Sequence, residues 1–334
     1  MIEFNPHPLV QGATAQTVLS SFVKEDASTV LTGESAVLLD AGPDQTGFAE
    51  DGAVRLLGYF NAGAATRQGR PSRGLVLTLH GWEGCSHSVY NLMLAKGLLA
   101  AGYDVFRLNM RDHGPNVGLN RGIFYSTLLD EVAVAAGRVA EMAGERPFFV
   151  VGASLGGNFA LRLAAGLRRH PLPNLRQIIA INPALDPART SRILDRKPLY
   201  RTYFRRRWLN TLQTKQRLFP DLYDFSPLAN MPLLWDMTEW LIRTHRFGEY
   251  AGAEEYFNAY AVRGAMLGDL TVPTTILTAA DDPIIPVDDF RALPKTEMLR
   301  TVIQPHGGHV GYMDLWPLHH RLPALVLGLL DESA

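Results

Sequence analysis

The chain has 334 residues, 47% hydrophobic and 19% charged, and 32 Lys+Arg against 33 Asp+Glu leave a formal net charge of −1. That balance is too apolar for a disordered chain and carries no basic excess to hold a nucleic-acid backbone. The one cysteine, Cys85, excludes an internal disulfide and a thiolate metal cluster, and fits a reducing compartment.

The first ten residues lack the basic n-region and apolar stretch of a signal peptide. The longest late apolar run, Pro323 to Leu330, falls far short of the ~20 residues of a membrane span. A soluble, cytoplasmic protein is the expectation.

From Leu75 onward the pattern is an alternation of short apolar runs and helical stretches. Leu75–Leu79 reads as a strand, followed by His80-Gly81. Tyr90 to Ala101 reads as a helix closed by Gly102. Asp104–Leu108 is a strand, Met110 to Pro115 a loop, and Leu128 to Met142 a helix with Asp130 and Glu131 near its positive end. Phe148–Val151, Gln177–Ile181, Thr274–Thr278 and Leu299–Ile303 are further strands, Leu155 to Leu167 a helix, and a last helix is expected from near Pro317 to about Leu330. Such alternation implies a parallel sheet covered on both faces.

Residues 186–265 interrupt it. Seven arginines between Arg189 and Arg207 are interleaved with Tyr200, Tyr203, Phe204 and Trp208. Leu233 to Phe247 and Ala253 to Ala261 look helical. Because the segment lies between two strands, it is expected to be a helical cap inserted into one core formed by 1–185 and 266–334. The arginines are expected to lie on a solvated face, a membrane-surface role being the less favoured reading. Trp208, Trp235 and Trp240 are expected to shape a pocket or to fill the core of the cap.

Gly152-Ala-Ser154-Leu-Gly156 is G-x-S-x-G, placed after one strand and before a helix. A chain reversing there holds the serine in a strained conformation, small neighbours prevent clashes, and the helix end faces the serine oxygen. A serine hydroxyl needs a base, and the base a carboxylate to orient it, in the chain order Ser, acid, His. The acid is expected at Asp282, with Asp281 as runner-up, because Ala279-Ala-Asp-Asp-Pro283 follows a strand end. The base is expected in Gln304-Pro-His306-Gly-Gly-His309-Val-Gly311, at His309 or His306. His170, His245, His319 and His320 are expected at the surface. The developing oxyanion is expected to meet the N–H groups of Leu155 and of Trp82, in the loop His80-Gly-Trp-Glu-Gly84, with His80 bracing that loop.

On these segments, together with Asn5-Pro-His7, the chain resembles the α/β-hydrolase superfamily and, within it, the YheT-like group. The resemblance spans about residues 5 to 315. It implies an α/β-hydrolase fold, a mostly parallel sheet flanked by helices, with Ser154, Asp282 and His309 as the triad. Two departures stand out: Trp82 occupies a place where leucine is common, and the Gln-Thr of a longer Asn-Pro-His-Leu-Gln-Thr string comes later, at Gln16-Thr17. The function expected is hydrolysis of a small-molecule carboxylic ester with no cofactor, no metal and no nucleic acid. The alternatives are an acyltransferase, suggested by the H-x-x-x-x-D spacing of His309 to Asp314, a lipid-directed lipase, and a non-catalytic binding protein on the same fold.

Overall fold

The computed structural model describes residues 3–23, 25–245 and 250–332. Eight strands form one sheet: β1 (Glu34–Pro43), β2 (Ala53–Asn61), β3 (Leu75–Leu79), β4 (Asp104–Leu108), β5 (Phe148–Ala153), β6 (Leu175–Ile181), β7 (Thr274–Ala279) and β8 (Leu299–Gln304). Their order is β1-β2-β4-β3-β5-β6-β7-β8. From β4 to β8 all neighbours are parallel, whereas β2 runs antiparallel to both β1 and β4. The sequence pattern had not distinguished β1 and β2.

Alternation along the strands divides the core in two. Leu75, Leu77 and Leu79 face the helices Leu129–Ala143 and Leu155–Gly166, while Val76 faces Val89–Ala100 and Leu322–Asp331. The strands carry apolar residues on both faces because both are covered. Gly102 adopts φ 92° where the helix after β3 stops, as a C′ glycine should.

The last helix begins later than expected, at Leu322 and not near Pro317. Residues His319–His320 pair with Met313–Asp314 instead, and Pro323 then sits in the first helical turn, where its missing N–H costs nothing. Among the described residues no helix is long and apolar enough to cross a membrane.

Between β6 and β7 the described residues form four α-helices: Pro187–Asp195, Pro198–Leu218, Leu234–His245 and Ala253–Ala259. Phe247, expected in the third, lies outside the described residues. The arginines of this segment are largely committed within the molecule. Arg189 pairs with Asp289, Arg192 with Glu254, and Arg205 donates to the carbonyls of Met231 and Ala229.

A buried charge fastens the long helix Pro198–Leu218 to the core. Lys215 Nζ donates to Asp112 Oδ1 at 2.8 Å and to the Asn120 carbonyl. Asp112 Oδ2 in turn accepts the N–H of Phe124 at 2.8 Å. Burial lowers the Lys215 pKa and raises that of Asp112, so each charge depends on the other. Removing one partner strands the other in a dry interior. Lys215→Met is therefore expected to destabilise the protein by about 3–5 kcal/mol in urea unfolding, and adding Asp112→Asn should recover part of that loss. A change below 1 kcal/mol would show that this helix is held by its apolar contacts alone.

Candidate active site

The carboxyl ends of β3, β5, β6 and β7 lie along one edge of the sheet, where ligands bind in folds of this kind. β5 ends at Ala153 and the next helix starts at Leu155, so Ser154 alone makes the turn, with φ 53° and ψ −116°. A side chain held at positive φ is strained, and the packing around it enforces the geometry. A Cβ on Gly152 would lie 2.1 Å from the Gly156 carbonyl oxygen, and one on Gly156 would lie 2.2 Å from that of Leu79. Both G positions of G-x-S-x-G are therefore steric requirements of the reversal.

His309 comes to Ser154 from the loop after β8. Its Nε2 lies 2.9 Å from Ser154 Oγ and its Nδ1 lies 2.8 Å from Asp282 Oδ2. The Asp282 side chain is fully buried and that of His309 is 9% exposed. Asp282 Oδ1 accepts the N–H groups of Ile284 and Ile285 at 2.8 and 3.0 Å. With one oxygen held by backbone, the other is aimed at the imidazole. A proton on Nδ1 donated to Asp282 leaves Nε2 free to accept from the serine hydroxyl.

Asp281 and His306 are turned elsewhere. Asp281 Oδ1 accepts the Gly308 N–H at 2.9 Å, and His306 Nδ1 stands 3.5 Å from Asp281 Oδ2. This pair shapes the loop that carries His309. Asp314 accepts the N–H of His7 at 3.0 Å and of Leu315 at 2.9 Å, so its carboxylate tethers the N-terminal segment.

Several residues that hold this arrangement were not apparent from sequence. Asn182, at the end of β6 with φ 42°, donates from Nδ2 to Asp282 Oδ2 at 2.7 Å and to the Gly308 carbonyl at 3.1 Å. Its Oδ1 accepts the Tyr312 hydroxyl at 3.0 Å. Thr17 Oγ1 accepts the His309 N–H at 2.9 Å, and Gln16 brackets Met313 by accepting its N–H and donating to its carbonyl. The displaced Gln16-Thr17 thus clamps the histidine loop. Gly308 and Gly311 permit the contact, since a Cβ on either would lie 2.5 Å from a backbone oxygen of the helix Ala13–Phe22.

The loop after β3 approaches Ser154 from above, and a Cβ on Gly81 would lie 3.2 Å from that of Ser154. Tyr90 OH accepts the Gly81 N–H at 2.7 Å. Neither the Trp82 nor the Leu155 N–H has an acceptor among the described residues. Leu155 is the first residue of its helix, where N–H groups lack intrahelical partners and the dipole is positive. His80 Nδ1 lies 2.8 Å from the Gly81 carbonyl and Nε2 accepts the Met110 N–H at 3.0 Å. Its burial holds the pKa well below the usual imidazole value, so it is a neutral brace. Glu83, at φ 56°, is buried in the same loop, and that burial pushes its carboxyl up to about 7.

An apolar pocket of about 930 Å³, its solvent-open mouth included, opens beside Ser154 and Leu155. Aromatic side chains dominate its wall, Trp82, Phe124, Trp208 and Phe257 among them, and none of its lining residues is exposed. Trp235 and Trp240 do not reach it. Trp235 packs on Phe257 and beneath Arg192, while Trp240 packs on Phe225 and His245. The expectation of surface histidines fails at two places: His245 lies within that aromatic cluster, and His320 is buried with Nδ1 2.8 Å from Glu25 Oε1. His320 is drawn inward by the short strand pairing that also delays the last helix.

The family model for the alpha/beta hydrolase fold matches residues 74–314, and the chain belongs to that family. No curated protein matches it. Among solved structures it is similar to the esterase PF2001 of Pyrococcus furiosus, at TM-score 0.56 and 15% identity over 93% of this chain and 95% of that one. It is also similar to Est1E of Butyrivibrio proteoclasticus, at TM-score 0.52 and 17% identity over 84% and 95%. A third similar structure is the serine hydrolase CCSP0084 of Cycloclasticus zankles, at TM-score 0.53 and 14% identity over 90% and 97%. At such identities the likeness is one of fold.

Proposed function

We propose that the chain is a serine hydrolase that cleaves carboxylic esters through an acyl-enzyme. Ser154 is the nucleophile, His309 the general base and then acid, and Asp282 the carboxylate that orients the imidazole. The observation that carries this reading is the unbroken line from Asp282 Oδ2 through His309 to Ser154 Oγ, at 2.8 and 2.9 Å, beside two unpartnered N–H groups. The esterase and serine hydrolase neighbours of the same fold support it. The motifs around Gly81, Ser154, Asp282 and His309 favour the YheT-like group within the family. Residues 186–265 act as a cap on the core formed by 1–185 and 266–334.

Ser154 Oγ attacks the ester carbonyl as its proton passes to His309 Nε2. Asp282 stabilises the imidazolium, and the Trp82 and Leu155 N–H groups receive the charge that develops on the carbonyl oxygen. His309 then protonates the departing alcohol, and water repeats the sequence on the acyl-enzyme.

The aromatic pocket beside Leu155 is the acyl site. Each methylene buried there is worth about 0.8 kcal/mol, roughly fourfold in binding. Across 4-nitrophenyl esters, kcat/KM is therefore expected to rise at least about tenfold from acetyl to hexanoyl or benzoyl. A panel with no hydrolysis above background would overturn the assignment as an esterase. Hydrolysis with acetyl preferred would overturn only the assignment of the pocket.

A further inference from the structure

Ser154 and His309 also border a second compartment, which shares Trp82, Phe204 and Ile284 with the first and is not lined by Leu155. It measures about 1490 Å³ with its open mouth included. Val310, Gly81 and the helix Ala13–Phe22 form its inner wall, and it opens among the exposed side chains of Phe22, Leu199 and Tyr203.

The chemistry distinguishes the two compartments. In ester hydrolysis the alcohol leaves first, taking the proton from His309 Nε2, while the acyl group stays on Ser154 until water arrives. The alcohol needs a route past the histidine to solvent, and the acyl group a dry site in which to wait. His309 borders both, but the outer compartment continues past it along Val310 and opens among exposed side chains. The aromatic one has no exposed lining residue.

Their charges differ as well. No Lys, Arg, Asp or Glu lines the aromatic pocket. Among the described residues, Arg207 is the one Lys or Arg lining the outer compartment. Its Nη2 donates to the Glu83 carbonyl, and Nη1 lies 3.4 Å from the Tyr203 hydroxyl, with the guanidinium 5.6 Å from the centre of that ring. Unlike Arg189 and Arg192, it has no carboxylate partner within ion-pair distance among the described residues. The acids and bases nearby are otherwise engaged. Glu83 is buried and accepts the Thr211 hydroxyl at 2.8 Å, while His87 lies 3.0 Å from Glu34, which is also paired with Arg107. Arg207 is thus a planar cation with no ion-pair partner among the described residues, on a wall it shares with Glu83, whose buried carboxyl it acts on through space, and such a fork suits a carboxylate or a phosphate.

Resting on the esterase reading, we propose that the outer compartment binds the alcohol part of the ester and that Arg207 selects alcohols bearing a carboxylate or phosphate. The test uses aryl esters of one acyl group with three leaving groups: 4-hydroxybenzamide, 4-hydroxybenzoate and 4-hydroxyphenyl phosphate. Each kcat/KM is divided by the ester's rate with hydroxide, which removes intrinsic reactivity. The wild-type protein is expected to favour at least one anionic ester about tenfold over the neutral one, the order of one partly solvated charge-assisted hydrogen bond, and less in high salt. Whichever oxyanion is preferred identifies the group recognised.

Arg207→Gln should bring that ratio to about one, Arg207→Lys should keep part of it, and Arg206→Gln, which changes an exposed arginine outside the compartment, should leave it intact. Because the readout is a ratio, a general disturbance of the Glu83 loop cancels. Neutral and anionic esters hydrolysed equally by the wild-type protein, or a preference that survives Arg207→Gln, would overturn the inference and leave the esterase reading standing. Failure on all three esters while 4-nitrophenyl esters are cleaved would likewise overturn the inference, and failure on both sets would overturn the esterase reading itself.

Discussion

Ser154→Ala is expected to lower kcat for a 4-nitrophenyl ester by roughly four to six orders of magnitude, with little change in thermal stability. The methyl group that remains fits the elbow, since the crowding falls on Gly152 and Gly156 and not on the serine oxygen. What is lost is the covalent route. A residual rate above water should persist, because the Trp82 and Leu155 N–H groups can still stabilise an oxyanion formed by attacking water. His309→Ala should cost nearly as much, and the double variant scarcely more than either single one, because the two side chains act as one unit. Additive losses would indicate that they act in separate steps.

The second large effect separates two adjacent carboxylates. Asp282→Asn is expected to lower kcat about 10⁴-fold, and Asp281→Asn about tenfold or less. The reason lies in the hydrogen bonds. Both oxygens of Asp282 face donors: Oδ1 the N–H groups of Ile284 and Ile285, Oδ2 those of Asn182 and His309. An amide has one acceptor oxygen, so one side must oppose donor to donor. If the NH₂ faces His309, the imidazole is driven to the tautomer with its proton on Nε2, which cannot accept from the serine. Among the described residues the Asp281 carboxylate accepts the Gly308 N–H and stands near His306, so its loss loosens the loop without reversing the tautomer. Steady-state kinetics on both variants decides the matter. Comparable losses would mean that the order of the His309 loop, and not the Asp282 charge, limits the reaction.

The strength of each local signal decided what sequence alone made legible. The apolar runs at Leu75, Phe148 and Thr274 stood out because those strands are covered on both faces. β1 did not, because it is an edge strand whose residues are mostly exposed or half-buried, and so lacks such a run. The serine, acid and histidine loops lie at strand ends, the first and last of them rich in glycine, so their order along the chain suggested that they meet. Their supports come from afar. Asn182 lies 100 residues from Asp282, and Thr17 lies 292 from His309. No periodicity connects such pairs, and only the resemblance of Gln16-Thr17 to part of a motif hinted at one. The arginines of residues 189–207 looked alike in sequence. Their separation into ion-paired residues such as Arg189 and carbonyl donors such as Arg205 and Arg207 depends on which loops the inserted helices cover.

The proposed mechanism requires Ser154 to form a covalent bond to the carbonyl carbon of its substrate. A fluorophosphonate, which captures a serine made nucleophilic by a neighbouring base, tests that bond directly when the labelled peptide is identified by mass spectrometry. One adduct is expected, on Ser154, appearing as esterase activity disappears and strongly slowed in His309→Ala. An adduct on another residue, or full loss of activity with Ser154 unmodified, would contradict that mechanism.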